Sequence, residues 1–287
     1  QRYFCKNCKK HLVISTRTWA TPKQLYQDYV KGKQTLAQLA DKYHISVSTV
    51  QRRLGEVHST RIISKHKEVV VLMDTTYWGN DFGLVMIFDA YRKRLLWRKF
   101  IYRRETIADY MEGIQWLEEK KFHILAVVCD GLRGLAQALW PYKVQYCQFH
   151  QVKTICDYLT KNPQTQAGKD LHEIALLLCH TDKESFVGAL SEWYIKWGDY
   201  IKEKTIDSGS GKKFYTHKRV RSAYFSFKRN MRWLWTFYDY PEPPIPNTNN
   251  IIEAINTDIK TKLRVHNGLS RRHRMIFIDE YFKMKYQ

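Results

Sequence analysis

Three carboxylates stand where the surrounding pattern is able to bring them together. The stretch "EVVVLMDTT" runs apolar up to Asp74, and "HILAVVCDG" runs apolar up to Asp130. Short apolar runs bounded by polar or turn residues read as buried strands. Each aspartate is therefore expected at the carboxyl end of a strand. Glu253 follows in "TNNIIE", where Asn247, Thr248 and Asn249 can cap a helix over about 250–264. Ile252, Ile255, Ile259 and Leu263 form the buried stripe of that helix, and Glu253, Asn256, Lys260 and Arg264 form the stripe beside it. A lone aspartate at a strand end is ordinarily a cap or turn residue. Three acids converging in a dry place repel one another unless a cation sits among them. Hard divalent ions with oxygen ligands suit such a set, so two Mg2+ or Mn2+ ions are the expected cofactors, held by Asp74, Asp130 and Glu253. A pair of such ions can activate an attacking oxygen and stabilise a leaving one at a phosphodiester.

Other acids compete for the role. Asp81 sits in the turn "GND" and Asp89 ends the next strand, so both read as structural. Asp258 lies five residues beyond Glu253, on another face of the helix. Cys147 and His150, in "CQFH", have the spacing of half a zinc site, but no second pair lies nearby.

The elements that must position the acids follow from the same patterning. Strands are expected over 69–74, 83–90 and 94–101, split by the turns "WGND" and "AYRK". A helix over about 105–120 comes next, with Ile107, Tyr110, Met111, Ile114 and Leu117 on one face. A strand over 123–129, a helix in "GLRGLAQAL", a short strand in "KVQYC" and a helix from about 148 complete an α/β sheet with an antiparallel start. Residues 165–240 read as helical throughout, with Trp193, Trp197, Trp233 and Trp235 and a flexible "DSGSGKK" loop over 207–213. Within them "KRVRSAYFSFKRNMR" mixes cations, Arg229 and Arg232 included, with Tyr224, Phe225 and Phe227. That mixture suits a nucleic-acid surface, and equally a core helix with its cations on the wet side. The Pro-rich "YPEPPIPN" over 240–247 is a rigid connector.

The amino-terminal part has a different texture. Cys5 and Cys8 in "CKNC" make half a zinc-ribbon signature among basic residues. The other half is expected before Gln1, with His11 a further candidate ligand for Zn2+. Pro22 suits the first turn of a helix. Leu36, Leu39, Ala40 and Tyr43 form a second helix, and a break at His44–Ser46 leads to a third with Val47, Val50 and Leu54 inward. That is a helix-turn-helix pattern, and Ser48, Thr49, Gln51, Arg52 and Arg53 are left on the outward, DNA-reading face. Residues 55–68 read as a polar, basic linker. The 287-residue chain carries a formal charge of +20 with pI near 9.6, which favours a polyanionic partner, nucleic acid ahead of an anionic membrane. No apolar run approaches the roughly 18 residues of a spanning helix, so no membrane role is expected. Six cysteines in a chain this long point to a reducing, cytoplasmic setting rather than a disulfide scaffold.

The element order is that of the ribonuclease-H-like fold, and with the motifs above the chain resembles the DDE transposases of Mutator-like elements and the related bacterial insertion sequences. Asp74, Asp130 and Glu253 match the triad, with the last two 123 positions apart, room for the helical insertion of that family. "CQFH" matches its C-x-x-H through Cys147 and His150. "TNNIIE" matches T-x-N-x-x-E through Thr248, Asn250 and Glu253, and Lys260 fits the basic residue that often follows. "RYFCKNCKKHL" resembles the end of a zinc ribbon. The resemblance covers nearly the whole chain. It implies a half zinc-ribbon arm over 1–15, a helix-turn-helix domain over 16–60, a ribonuclease-H-like core over 66–162, an all-helical insertion over 163–245, and core completion over 246–287. It further implies cleavage at transposon ends and transfer of the 3′-hydroxyl into target DNA. His150 is then expected near the scissile phosphate, and Lys260 and Arg264 on neighbouring phosphates. The amino-terminal domain would bind terminal inverted repeats, and one of the tryptophans would stack on a flipped base. The implied assembly is a homodimer or larger synaptic complex in a bacterial, nucleoid-associated setting. Two alternatives stand beside it: a domesticated DNA-binding regulator, and a ribonuclease-H-like nuclease or resolvase without strand transfer.

Overall fold

The computed structural model describes residues 2–13, 20–30, 32, 34–56, 67–266 and 268–286. Most of the expected linker over 55–68 lies outside the described residues. The chain divides into two compact units, Ile63–Asn256 and Gln1–Ile62 with Thr257–Gln287.

In the second of these units, β1 (Arg2–Phe4) and β2 (His11–Val13) pair antiparallel around the "CKNC" turn, where the Cys5 N–H donates to the Lys10 carbonyl at 3.0 Å. α1 (Pro22–Val30) starts at its proline and buries Leu25, Tyr26, Tyr29 and Val30. α2 (Leu36–Tyr43) opens on a capping box: the Gln38 N–H donates to the Thr35 hydroxyl at 3.2 Å, and the Thr35 N–H donates to the Gln38 side chain at 2.8 Å. His44, with φ of 49°, ends α2, and Ser46 caps α3 (Val47–Leu54) by accepting the Thr49 N–H at 3.2 Å. Val50 and Leu54 are buried as expected. Val47 is not inward; it is 41% exposed. At about 100° per residue it is rotated some 60° from Val50 in one direction, and Leu54 some 40° in the other.

The unit Ile63–Asn256 is built on a five-stranded sheet. β3 (Glu68–Trp78), β4 (Phe82–Asp89) and β5 (Arg94–Ile101) form an antiparallel meander. α4 (Ile107–Glu119) leads to β6 (His123–Cys129), which pairs parallel to β3. α5 (Leu135–Ala138), β7 (Lys143–Tyr146), parallel to β6, and α6 (Gln148–Leu159) follow. The strand order β5–β4–β3–β6–β7 with flanking helices is compatible with a ribonuclease-H-like α/β core. Residues 69–73 and 84–88 are fully buried, which is why they read as continuous apolar runs.

The strand carrying Asp74 is longer than its apolar run. β3 continues through Thr75, Thr76 and Tyr77 to Trp78, all paired with β4, so Asp74 lies in the strand's interior. What ends near Asp74 is the pairing on the other side: the last β3–β6 partners are Leu72 and Val128. Asp130 does follow the end of β6, as expected.

The stretch expected to be all-helical contains α7 (Gln166–Leu177), α8 (Lys183–Trp197), a short 3-10 turn at Tyr200–Lys202, and two strands before its long helix. β8 (Lys204–Ile206) and β9 (Lys213–Tyr215) pair antiparallel, a correction to the all-helical reading. The Asp207 carboxylate accepts the Ser210 N–H at 2.6 Å and Gly211 takes φ of 65°, which closes the hairpin. Strands of three residues with their faces largely in solvent leave no periodicity to read. α9 (Lys218–Leu234) and α10 (Thr236–Asp239) follow. Leu171, Phe186, Trp193, Phe227 and Trp235 belong to the same apolar cluster as Val71, Val127 and Tyr146, so the insertion shares the core of the sheet.

α11 (Asn250–Arg264) and α12 (Arg271–Lys285) end the chain. The boundary between the units falls within α11. Residues 257–287, expected to complete the core, cluster instead with the amino-terminal helices. The reason is apolar: α12 buries Phe277, Ile278, Tyr281 and Phe282, and the Tyr29 ring of α1 lies 5.7 Å from Phe277 and 4.1 Å from His266. Among the described residues no helix is long and apolar enough to cross a membrane.

α4 sits on the sheet at Gly113, where a Cβ would come within 2.5 Å of Ile87 Cδ1 and 2.7 Å of Trp97 Cε3, both buried. Gly113→Ala is expected to lower stability by about 1–3 kcal/mol through overpacking. Urea denaturation would register this as a lower midpoint at unchanged slope.

Candidate active site

Four elements meet where β6 stops. β3 carries Asp74 past its last partner on β6. Asp130 comes immediately after β6. His150 is in the first turn of α6, directly after β7, and Glu253 is in the first turn of α11. The β3–β6 pairing ends at Leu72 and Val128, and the Asn249 side chain donates to the Met73 carbonyl just beyond it at 3.0 Å. The Asn249 N–H donates to the Cys147 sulfur at 3.2 Å, and the Cys147 N–H to the Cys129 carbonyl at 2.8 Å. These bonds tie the start of α11 to the ends of β3, β6 and β7.

Asp74, His150 and Glu253 each offer a ligand atom, and the three atoms lie within 4.8 Å of one another. His150 Nε2 is 3.1 Å from Glu253 Oε1. The Asn256 side chain donates to Asp74 at 3.2 Å. Asp74 is only 4% exposed. Burial is the main reason its carboxyl titrates high; the His150 charge opposes this and Asp130 and Glu253 add to it, leaving it at about 7. Burial likewise raises Asp130, against the His150 charge and a bond from the Leu132 N–H. Burial works against a charged His150, but Cys147, Glu253 and Asp74 outweigh it and push the ring up to about 11. These neighbours favour the charged form of the ring.

The three-ligand group differs from the expected one. His150 takes the place expected for Asp130, whose carboxylate accepts from the Leu132 N–H. Asp130 Oδ1 and His150 Nδ1 are buried with no hydrogen-bond partner. Two carboxylates within ligand distance and a third beside them with an unsatisfied oxygen make an oxygen donor set that fits a divalent cation.

The remaining sequence candidates fall in different places. Asn250 is exposed, and Asn249 holds the buried position. Lys260 is partly buried and Arg264 exposed, both in the other unit. On α3, Ser48, Gln51 and Arg52 are exposed, although Arg52 pairs with Glu56 at 2.6 Å. Thr49 is half-buried against the Ser46 hydroxyl at 2.9 Å. Arg53 is not outward; its guanidinium donates to the Ala20 carbonyl at 3.0 Å. Arg229 and Arg232 are exposed on α9. Cys5 and Cys8 are exposed in their hairpin turn, where backbone N–H groups, that of Cys8 foremost, lower the Cys5 thiol. Among the described residues they gather no third ligand, His11 included. The competing acids are structural: Asp89 accepts the Tyr91 and Arg92 N–H groups, and Asp258 accepts the Tyr281 hydroxyl and Lys285, both at 2.7 Å. Asn249 and Asn256 carry roles that patterning did not assign. The only signal for Asn256 is its place three residues after Glu253 on the same stripe.

No family model matches the chain, and no curated protein matches it. A solved structure of the Drosophila P element transposase strand transfer complex is similar at 9% identity, covering 98% of this chain and 95% of that one, with a TM-score of 0.42. A score that low transfers neither fold nor function.

Between pH about 4 and 7 folded Asp74 keeps a proton that the unfolded chain has released, so this group lowers stability as pH rises through that window. Asp74→Asn is expected to stabilise the metal-free protein at pH 7, by at most about 4 kcal/mol, with little gain at pH 4. Urea titrations in EDTA at the two pH values would test this; a gain equal at both would rule out the buried charge as its source.

Proposed function

We propose that this chain is a metal-dependent DNA transposase of the DDE type, cleaving at transposon ends and joining the freed 3′-hydroxyl to target DNA. The observation that carries the reading is the convergence of Asp74, His150 and Glu253, with Asp130 adjacent, where the parallel pairing of the sheet runs out. A net charge of +20 supports a polyanionic substrate.

Asp74 and Glu253, with Asp130, would hold Mg2+ or Mn2+, which when bound supplies an activated oxygen nucleophile and stabilises the leaving oxygen. The chain's own groups do the rest. Asn256 fixes the Asp74 carboxylate by donating to it. His150 offsets the carboxylate charges before a cation arrives, and its ring lies where it can donate to a phosphate oxygen. The exposed Ser48, Gln51 and Arg52 of α3 would contact DNA at the terminal repeats, Lys260 and Arg264 would hold phosphates, and Cys5 and Cys8 would be two ligands of a Zn2+ site. A homodimer or larger assembly would bring two ends together.

Asp74→Asn, Asp130→Asn and Glu253→Gln are each expected to abolish cleavage of end-containing DNA while sparing DNA binding. Calorimetry should show Mn2+ binding in the wild type and its loss in the Asp74→Asn/Asp130→Asn double variant. Equal binding in both would move the metal elsewhere and defeat the reading. Joining of a labelled 3′ end to a second DNA separates a transposase from a nuclease that only cuts.

A further inference from the structure

The positive charge of the chain is unevenly placed. The unit of Gln1–Ile62 and Thr257–Gln287 holds 20 Lys and Arg against 6 Asp and Glu, a net +14 of the chain's +20. The same unit contains α2 and α3, joined by a turn in which His44 takes φ of 49°. α3 puts Val50 and Leu54 in the core and leaves Val47, Ser48, Gln51 and Arg52 in solvent. Contacts inside the unit divide those four. The Ser48 hydroxyl shares a hydrogen bond with Ser46 at 2.9 Å, and Arg52 is paired with Glu56 at 2.6 Å. The other arginine of the helix, Arg53, donates to the Ala20 carbonyl at 3.0 Å. Val47 and Gln51 remain. The Gln51 amide makes no hydrogen bond among the described residues, and the Val47 side chain lies in solvent in the first turn of α3. Four residues apart, they stand side by side on one ridge of the helix, with about 5–6 Å between Cβ atoms. One exposed valine is ordinary on a protein surface. This one has a free amide beside it, on a helix of the most basic part of the chain.

In the major groove an adenine offers N6 and N7 to one amide in a bidentate pair, and a thymine presents its C5-methyl group to an apolar side chain. A guanine calls for a guanidinium or ammonium group, and both arginines of α3 are engaged within the unit. The first turns of the second helix are the ones that reach base edges. A free amide next to a free isopropyl group is therefore the side-chain set for A·T pairs. We propose that Val47 and Gln51 make α3 a reader of A·T pairs, Gln51 bonding adenine N6 and N7 and Val47 packing on the methyl of a thymine within one base step. The spacing permits this, since neighbouring bases on a strand are about 3.4 Å apart. The many other cations of the unit serve phosphates, which hold the protein on the duplex and carry no sequence information. The inference rests on the reading of this unit as DNA-binding. It adds which bases are selected, and it makes Val47, a residue whose apolar type argues for the interior, a specificity determinant.

The test starts from a randomised duplex library, from which the full chain selects its preferred site with no Mg2+ or Mn2+ added, so that nothing is cut. Each thymine of that site is then replaced in turn by deoxyuridine, which keeps the pairing and removes the C5-methyl. Each adenine is replaced by 7-deazaadenine, which puts a C–H in place of N7. Affinity is read by fluorescence anisotropy. The wild type is expected to lose about fourfold at one thymine, the worth of one buried methyl, and about fivefold at an adenine within one base step of it, the worth of one hydrogen bond. Val47→Ala is expected to be indifferent to the first change and Gln51→Ala to the second. Both side chains are in solvent, and an unchanged melting curve shows that the fold survives. A selected site at which neither change weakens the wild type, or at which the variants keep the wild-type losses, overturns the proposal and leaves the DNA-binding reading standing. Enrichment of no sequence, with bulk DNA still bound, overturns it as well. Failure to bind DNA at all defeats the DNA-binding reading together with it.

Discussion

A carboxylate taken out of water needs a positive charge nearby, and the α/β unit is organised around that need at Asp74. The residue is nearly fully buried, its neighbours Asp130 and Glu253 are also acidic, and the group that offsets them is the His150 ring, 3.1 Å from Glu253. Removing the histidine would take away the positive charge that opposes the burial of Asp74 and its two acidic neighbours. Replacing it with a divalent cation would satisfy the same electrostatics with an ion able to do chemistry.

The sheet makes the pocket by stopping. β6 pairs with β3 only as far as Val128, and from Met73 onward one side of β3 is open. The Met73 carbonyl just beyond the pairing accepts from Asn249, which fixes the start of α11 and brings Glu253 within reach of Asp74. Asn256, one turn later, holds the Asp74 carboxylate. A strand that ends early, a buried amide that fills the gap and a helix started from it are one device.

The helical insertion belongs to the same device. Phe186, Trp193, Phe227 and Trp235 share an apolar core with the sheet, so α9 is carried against α6, the helix of His150. The Gln151–Ser226 and Asn230–Gln151 bonds between those helices line a cavity that His150 also borders. The insertion thereby supplies Arg229 and Trp233 to the neighbourhood of residues far earlier in the chain.

The sequence by itself determined what is settled within a few residues. The Thr35–Gln38 box and the Ser46 cap mark helix starts, the apolar runs mark β3, β4 and β6, and the acids, the histidine and the cysteine turn stand out by type and spacing. Tertiary structure decided the rest. It put Asn249 rather than Asn250 in the buried position, gathered His150 with Asp74 and Glu253 where Asp130 was expected, and turned Arg53 inward onto Ala20. It also paired β8 with β9 and grouped α12 with α1. Each of these depends on where strand pairing stops or on which apolar faces meet. The bond from Asn249 to Met73 spans 176 residues of chain, and no local pattern encodes a partner at that distance.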